Sequence, residues 1–588
     1  VVSNCEECEV GLGGTREEIF KLRYAISPTE TWEEASVRVA TSIGSAELEN
    51  KRKEWTDRFS EIMKNFYFVP GGRIIRNAGR KKGMMINCFA LGVDDNIQSL
   101  GELIKNVMIV SSSGGGIGTN WSNIRPEGDS IDESGKGGTA SGPTSFMTAM
   151  DGVGKILKIG GQRRIALIGT LRHNHPEIFK FIKAKIEEGA LEHYNISVGL
   201  TNDFIKAIRK NKDFDLTFGN KIYKTIKARE LWDTLINNAW KCGDPGLLNF
   251  DNAINLNPTY YCERLEAPNP CAELWLVRFG GCDLGSINLD KMYNPVTNSV
   301  NWSRLRETIN IAVRFLDNVI EATFYPLKEI ELVSTSTRRI GLGIMGLHYL
   351  LLKMGIKNYG SDESLEFIDE LFNKFRDYAY LASIELAKEK GVFEKFEMTP
   401  HLEGVFVKSL PRRVLSKLKK YGIRNGAILS MPPTGTTSLV AGVSSGIEPI
   451  FSPVYKRRVN IEGKDGKLEK KEFLEVDKLF REFTEQDKDT SHFIGAYQIS
   501  PWEHMEVQST CQKYVDNSIS KTINMKKNFP KEELSELLLE HLPHIKGTTI
   551  YREGSKGEEV LVPVDHTKMS REKILAIGGK SCELKSKG

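Results

Sequence analysis

No stretch of this 588-residue chain approaches about 18 apolar residues in a row, so no membrane-spanning helix is expected. Its first twenty residues also lack the apolar core of a secretory signal. An excess of one charge is missing too: Lys plus Arg is 81 and Asp plus Glu is 77, and a formal net charge of +4 builds no global field for nucleic acid. Cysteine is sparse. Nine cysteines, at 5, 8, 88, 242, 262, 271, 282, 511 and 582, are too few and too scattered for a secreted disulfide scaffold. Only Cys5 and Cys8 have C-x-x-C spacing, and no second such pair completes a zinc site. The ten histidines contain no H-E-x-x-H, so no protein-bound metal is expected. There is no internal repeat. A composition of 40% hydrophobic and 27% charged residues is that of a globular, cytoplasmic protein with several folding units.

Residues 16–23, 32–43 and 46–66 read as helices, with Thr31 and Glu34 spaced as a capping box. From about residue 87, short apolar runs such as 196–200 and 426–431 alternate with helical stretches, the texture of an α/β domain. Residues 364–390 and 531–541 read as amphipathic helices, and the lysine-rich 461–472 as a solvated loop.

Some motifs fail on context. Residues 341–346 match G-x-G-x-x-G, but the lead-in Ser-Thr-Ser-Thr-Arg-Arg is no buried strand, so a close helix contact at glycine is expected instead. His173 and His175 read as structural. The glycine-rich 111–120 reads as a flexible loop or a backbone anion cradle.

The chemistry concentrates in Asn-Pro-Cys-Ala-Glu at 269–273. In an extended segment Asn269, Cys271 and Glu273 project to one side, placing an amide, a thiol and a carboxylate together. Pro270 stiffens the backbone there. Cys282 follows in Gly-Gly-Cys-Asp-Leu-Gly, and Cys88 lies far upstream in Ile-Asn-Cys-Phe. A single such cysteine would read as a buried filler; three in glycine- or asparagine-bounded settings, one beside a carboxylate, point to redox chemistry. A second anchor, Met-Pro-Pro-Thr-Gly-Thr-Thr-Ser at 431–438, offers consecutive hydroxyls and N–H groups for a phosphate.

The ordered series NCF, GGGIGTNWSNIRP, SGP, NPCAE, GGCDLGSINL, RRIGLGIMG, PPTGTTSLVAG, SSGIEP resembles the catalytic chain of ribonucleotide reductases from about residue 70 to 555. Pro-Gly-Gly-Arg at 70–73 and the segments 512–524 and 546–552 are most similar to the adenosylcobalamin-dependent (class II) branch. The resemblance implies an α/β fold, a ten-stranded α/β barrel of two five-stranded halves around a central finger loop. An N-terminal helical region (1–85), the catalytic barrel (86–530) and a C-terminal helix and tail (531–588) would be its parts. It further implies that Cys271 becomes a thiyl radical that takes the 3′-hydrogen of ribose, with Glu273 as base and Asn269 orienting the substrate. Cys88 and Cys282 would supply two electrons and a proton as the 2′-hydroxyl leaves as water, ending as a disulfide. Asn87, Ser141, Pro433, Thr434, Gly435, Thr436, Thr437 and Ser438 would line the pocket of a ribonucleoside di- or triphosphate. Asp95, Arg125, Gln162, Arg163 and Arg164 would read a deoxynucleotide effector, at a homodimer interface.

Several positions depart from that branch. Ile165-Ala-Leu167 replaces Gly-Ala-Asn, restricting the backbone of the specificity loop. Ala272 and Leu274 stand where glycine and glutamine are commoner, a change expected to affect packing. In place of a terminal cysteine pair there is Cys582, so either Cys582 is half of a truncated pair or Cys5 and Cys8 pass electrons from a thioredoxin-like dithiol. The rival is a class I catalytic subunit, served by a separate metal-containing subunit through paired tyrosines; here only Tyr551, flanked by Ile550 and Arg552, lies in that region. A catalytically silent nucleotide-binding regulator is a further alternative, though it would need none of the three cysteines.

Overall fold

The computed structural model describes residues 15–131, 137–157, 165–187, 189–462, 468–555, 561–577 and 582–583. Three helices open it, Thr15–Arg23, Trp32–Gly44 and Glu49–Lys64. The capping box forms: the Thr31 hydroxyl accepts from the Glu34 N–H at 3.2 Å, and the Thr31 N–H donates to the Glu34 carboxylate at 2.8 Å. Both bonds satisfy donors that a helix start leaves open. The apolar faces of the second and third helices (Val39, Ile43, Phe59, Met63) pack against the long helix Trp302–Ala322, with Phe59 edge-on to Phe315. Buried Arg314 of that helix pairs with Glu47 at 2.7 Å, tying the helical region to the rest.

A ten-stranded sheet forms the centre. Cys88–Ala90, Gly116–Asn120, Leu167–Arg172, Tyr194–Leu200 and Gly246–Asn249 run parallel to one another. This set joins antiparallel to Gly281–Asn288 at one edge and to Gly547–Arg552 at the other. Each of those starts a second parallel set, with Ile340–Met345 and Thr522–Met525 respectively. Residues 427–431 span the remaining gap: Ile340 and Leu342 donate to the carbonyls of Ala427 and Ile428, and Met431 donates to Ser518. Two half-rings of opposite direction thus face one another, as the resemblance implied. Strands buried on both faces explain the nearly continuous apolar runs.

Four local expectations change. Gly547–Arg552 sits inside the sheet, so the sheet extends past residue 530. The first two glycines of the G-x-G-x-x-G run lie on the buried strand Ile340–Met345, and a side chain at Gly343 would come within 2.4 Å of the Ser430 carbonyl. The glycines therefore admit a neighbouring strand segment, where a helix contact was expected. The glycine-rich run is likewise mostly structured, ending in strand Gly116–Asn120. Of residues 461–472, the described ones, 461–462 and 468–472, belong to the antiparallel strands Val454–Glu462 and Leu468–Val476, where a loop was expected. Among the described residues no helix is long and apolar enough to cross a membrane.

Candidate active site

The hairpin Leu265–Pro268 and Trp275–Val277 carries residues 269–273 at its tip. These residues form a tight turn, so strand alternation does not bring Asn269, Cys271 and Glu273 together as expected. The turn does it. The Asn269 carbonyl accepts from the Ala272 N–H at 2.8 Å, and its side-chain oxygen accepts from the Leu274 N–H at 3.0 Å. Ala272 has φ of 61°, a left-handed conformation that favours glycine. The alanine therefore changes the backbone energetics of the tip, by about 1 kcal/mol, as well as its packing.

Both halves of the fold grip this finger. A side chain at Gly118 would lie 1.7 Å from the Pro268 carbonyl, and one at Gly116 would meet the Pro270 ring at 3.1 Å. The glycine-rich run thus clears a channel for the finger, which accounts for its composition. From the other half, the Ser430 hydroxyl and the Ser518 N–H donate to the Glu273 carbonyl at 2.9 and 3.0 Å. Asn195 holds the Pro270 carbonyl at 2.8 Å.

Cys88 and Cys282 stand directly opposite one another on adjacent antiparallel strands. Such partners have Cα atoms about 4.5 or 5.5 Å apart, either of which a disulfide accepts. Both are free thiols here, and both are buried. The Asn269 amide donates to the Cys88 sulfur at 3.0 Å, and the Glu273 carboxylate lies 4.0 Å from it. Cys271 is the exposed thiol of the three, yet the surrounding protein still desolvates it and pushes its pKa up. Burial raises Cys88 and Cys282 as well, and Glu273 adds to the effect on each. All three sulfurs are held protonated, the form that has a hydrogen atom to give. Burial pushes Glu273 up to about 7, against hydrogen bonds from the backbone and Asn269, and its outer oxygen has no partner among the described residues. A carboxyl poised near neutrality with one free oxygen is suited to proton transfer.

Beside this cluster a cavity of about 180 Å³ opens between strand Gly281–Asn288, the loop before helix Thr436–Ala441 and the N-terminal helices. Asn87, Pro433, Thr434, Gly435, Thr436 and Thr437 line it. The Asn87 side-chain oxygen is buried without a partner among the described residues, which marks a place for a ligand donor. Ser438 does not reach the cavity; its buried hydroxyl donates to the Gly435 carbonyl at 2.7 Å and closes the turn. Ser141 is also absent from the lining. It is exposed at the start of helix Gly142–Ile156, beside the segment that carries Asp129. The lining includes residues that local pattern did not single out for the site: Tyr24, Arg73 and Ser286. Tyr24 bonds Thr436 across more than four hundred residues, and no local motif signals such a contact. Arg73, within the Pro-Gly-Gly-Arg run, was the one with a signal.

Asp95 and Arg125 meet, as a half-exposed ion pair of 2.7 Å. The Arg125 guanidinium also donates to the Ser130 carbonyl at 2.7 Å. Gln162, Arg163 and Arg164 lie outside the described residues, as do Cys5 and Cys8. Cys582 belongs to a two-residue strand paired with Leu468–Val476. His173 and His175 are buried and bond the carbonyls of Gly199 and Ile124, a structural use of both rings. No cluster of three potential metal ligands occurs among the described residues.

Two family models match. Residues 86–551 match the ribonucleotide reductase barrel domain, and residues 15–83 the ribonucleotide reductase all-alpha domain. A vitamin B12-dependent ribonucleoside-diphosphate reductase of Thermoplasma acidophilum is 38% identical over 538 residues, which cover 86% of this chain and 66% of that protein. One from Mycobacterium tuberculosis is 33% identical over 557 residues, covering 91% of this chain and 78% of the relative. The ribonucleoside-diphosphate reductase subunit alpha of Chlamydia pneumoniae is 25% identical, covering 82% and 53%.

Proposed function

We propose that this chain, which belongs to the ribonucleotide reductase family, reduces ribonucleotides to 2′-deoxyribonucleotides by thiyl-radical chemistry with cobalamin as cofactor. One observation carries the reading. Two buried thiols face each other across adjacent strands, and a third stands on the turn whose amide holds one of them.

The substrate phosphates lie in the cavity between Thr434–Thr437 and Arg73, and Asn87 receives a ribose hydroxyl on its unpaired oxygen. Cys271 takes the 3′-hydrogen, while Glu273 accepts the 3′-hydroxyl proton. The Cys88 and Cys282 pair gives one proton to the 2′-hydroxyl, which leaves as water. Its other proton and two electrons put hydrogen in the vacated place, so that a disulfide joins the two sulfurs while Cys271 and Glu273 return the 3′-hydrogen and the 3′-hydroxyl proton. Bound adenosylcobalamin supplies the initiating radical by cobalt–carbon homolysis, chemistry that no side chain provides. The residues present fit such a group: Cys271 is exposed where its two fellow thiols are buried, so the tip formed by Cys271 and Ala272, braced by Asn195, is the face that meets the cofactor.

Residues 1–85, 86–530 and 531–588, the last carrying one strand of the ten-stranded sheet, serve as helical region, catalytic barrel and tail. The Asp95–Arg125 pair is the candidate effector site, with Gln162, Arg163 and Arg164 as its base readers. A homodimer through that face is part of this reading, and Ile97, 79% accessible, lies two residues from Asp95. A thioredoxin-like dithiol, relayed by Cys5 and Cys8, is the reductant. The cytoplasm is the matching compartment, since free buried thiols and a redox pair work under reducing conditions.

The test is incubation of the protein with a ribonucleotide, dithiothreitol and adenosylcobalamin, without a second protein. Deoxynucleotide formation is expected; product only after addition of a metal-containing subunit would assign the class I mechanism instead. Arg73→Gln is expected to raise KM for the nucleotide about 10- to 100-fold with a smaller change in kcat, the size of a lost charge-assisted hydrogen bond. Steady-state kinetics decide this, and an unchanged KM would remove Arg73 from the phosphate site.

A further inference from the structure

The carboxyl ends of Gly116–Asn120 and Leu167–Arg172 open into a second cavity of about 340 Å³. Its lining contains no carboxylate. The Arg172 guanidinium lines it and makes no hydrogen bond or ion pair among the described residues; its one ring contact is with Phe250, 6.0 Å from the centroid. Arg172 is exposed at the end of its strand; desolvation by the surrounding protein, with Arg264 close by, lowers its pKa, against the Glu266 and Asp251 carboxylates.

The hydroxyl and amide groups that line the cavity with Arg172 are left with donors. The Ser122 hydroxyl oxygen accepts from the Arg172 N–H at 2.9 Å, and the Thr217 hydroxyl oxygen accepts from the Asn174 amide at 3.1 Å. Each hydroxyl keeps its proton to give to a ligand. Asn174 retains a second N–H. His175 is only wall: its ring bonds the Ile124 carbonyl at 2.9 Å and the Glu177 N–H at 3.1 Å, which uses both nitrogens.

We propose that this cavity binds a phosphate-bearing anion on Arg172, Ser122 and Thr217, apart from both the Asp95–Arg125 pair and the Thr434 loop. Its consequence follows from what the walls belong to. Ser122 lies three residues before Arg125. Thr217 belongs to the hairpin Asp213–Phe218 and Lys221–Lys227, whose Lys221 and Tyr223 both bond Asp129, four residues after Arg125. A bound anion pins that hairpin to the Arg125 segment and steadies the ion pair with Asp95. The inference does not rest on the proposed reaction, because binding is measured without turnover.

The test is calorimetric titration of the full chain carrying Arg73→Gln and Arg125→Gln, which remove the cations of the two other candidate phosphate sites. Pyrophosphate is expected to bind saturably, one per chain, and addition of Arg172→Gln to weaken it at least about tenfold. No saturable binding below about 10 mM, or equal affinity with and without Arg172→Gln, overturns the proposal. If circular dichroism shows that Arg172→Gln does not fold, Thr217→Val takes its place, with a loss of about threefold or more expected and an unchanged affinity overturning. A nucleoside triphosphate run in parallel separates the sources. Binding at least about tenfold tighter than pyrophosphate assigns a nucleotide, and equal binding assigns free phosphate.

Discussion

Cys271→Ser is expected to retain nucleotide binding and to lose deoxynucleotide formation by at least about 10⁴-fold, as when a group that forms the reactive intermediate is deleted. A serine hydroxyl is smaller than the thiol and fits the same space, so the tip turn, set by the Asn269 bonds to Ala272 and Leu274, stays in place. What it cannot do is give up its hydrogen atom at comparable cost. The assay is product formation with dithiothreitol and adenosylcobalamin beside equilibrium binding of the same nucleotide. Residual turnover within a hundredfold of the parent would show that Cys271 carries no radical. Loss of binding together with activity would instead mark Cys271 as a residue of the pocket wall.

Glu273→Gln is expected to lower kcat by about 10²- to 10⁴-fold, the range for a positioned general base. The sign of its pH dependence follows from burial. With the carboxyl raised to about 7, the basic form is lost as pH falls below 7 and gained above it, so kcat of the parent rises through that region. The glutamine variant keeps the Asn269 contact and removes the titration, flattening the acidic limb. An acidic limb that persists in Glu273→Gln would place the titrating group elsewhere. The thiols do not confuse the profile, because burial holds Cys88, Cys271 and Cys282 above the neutral range.

Legibility in the sequence followed the range of each interaction. The helices Trp32–Gly44 and Lys531–His541 were readable within about two residues, since caps and apolar periodicity are local signals. Strand identity at Gly116–Asn120 and Ile340–Met345 was not. Glycine there reflects contact with the finger carbonyl of Pro268 or the Ser430 carbonyl, far away along the chain. For the same reason Tyr24 was invisible as a pocket residue while Thr436, inside a hydroxyl-rich loop, was not. Ala272 shows a mixed case: its departure from glycine was visible, but only the turn reveals that the position needs a left-handed backbone.

By itself, the order of residues determined which side chains were available for chemistry: a thiol two positions from a carboxylate and two from an amide, further thiols in asparagine- and glycine-bounded runs, and a hydroxyl-rich loop. Those are covalent facts, and their spacing along the chain was enough to indicate the family. Tertiary structure alone decided that Cys88 faces Cys282 across a strand pair, that both are buried while Cys271 is open, and that Glu273 is desolvated to near-neutral acidity. Burial and cross-strand register arise from segments far apart in sequence packing against one another. Reactivity depends on just those quantities, because solvent access and the separation of two sulfurs set which group loses a proton, an electron or a hydrogen atom.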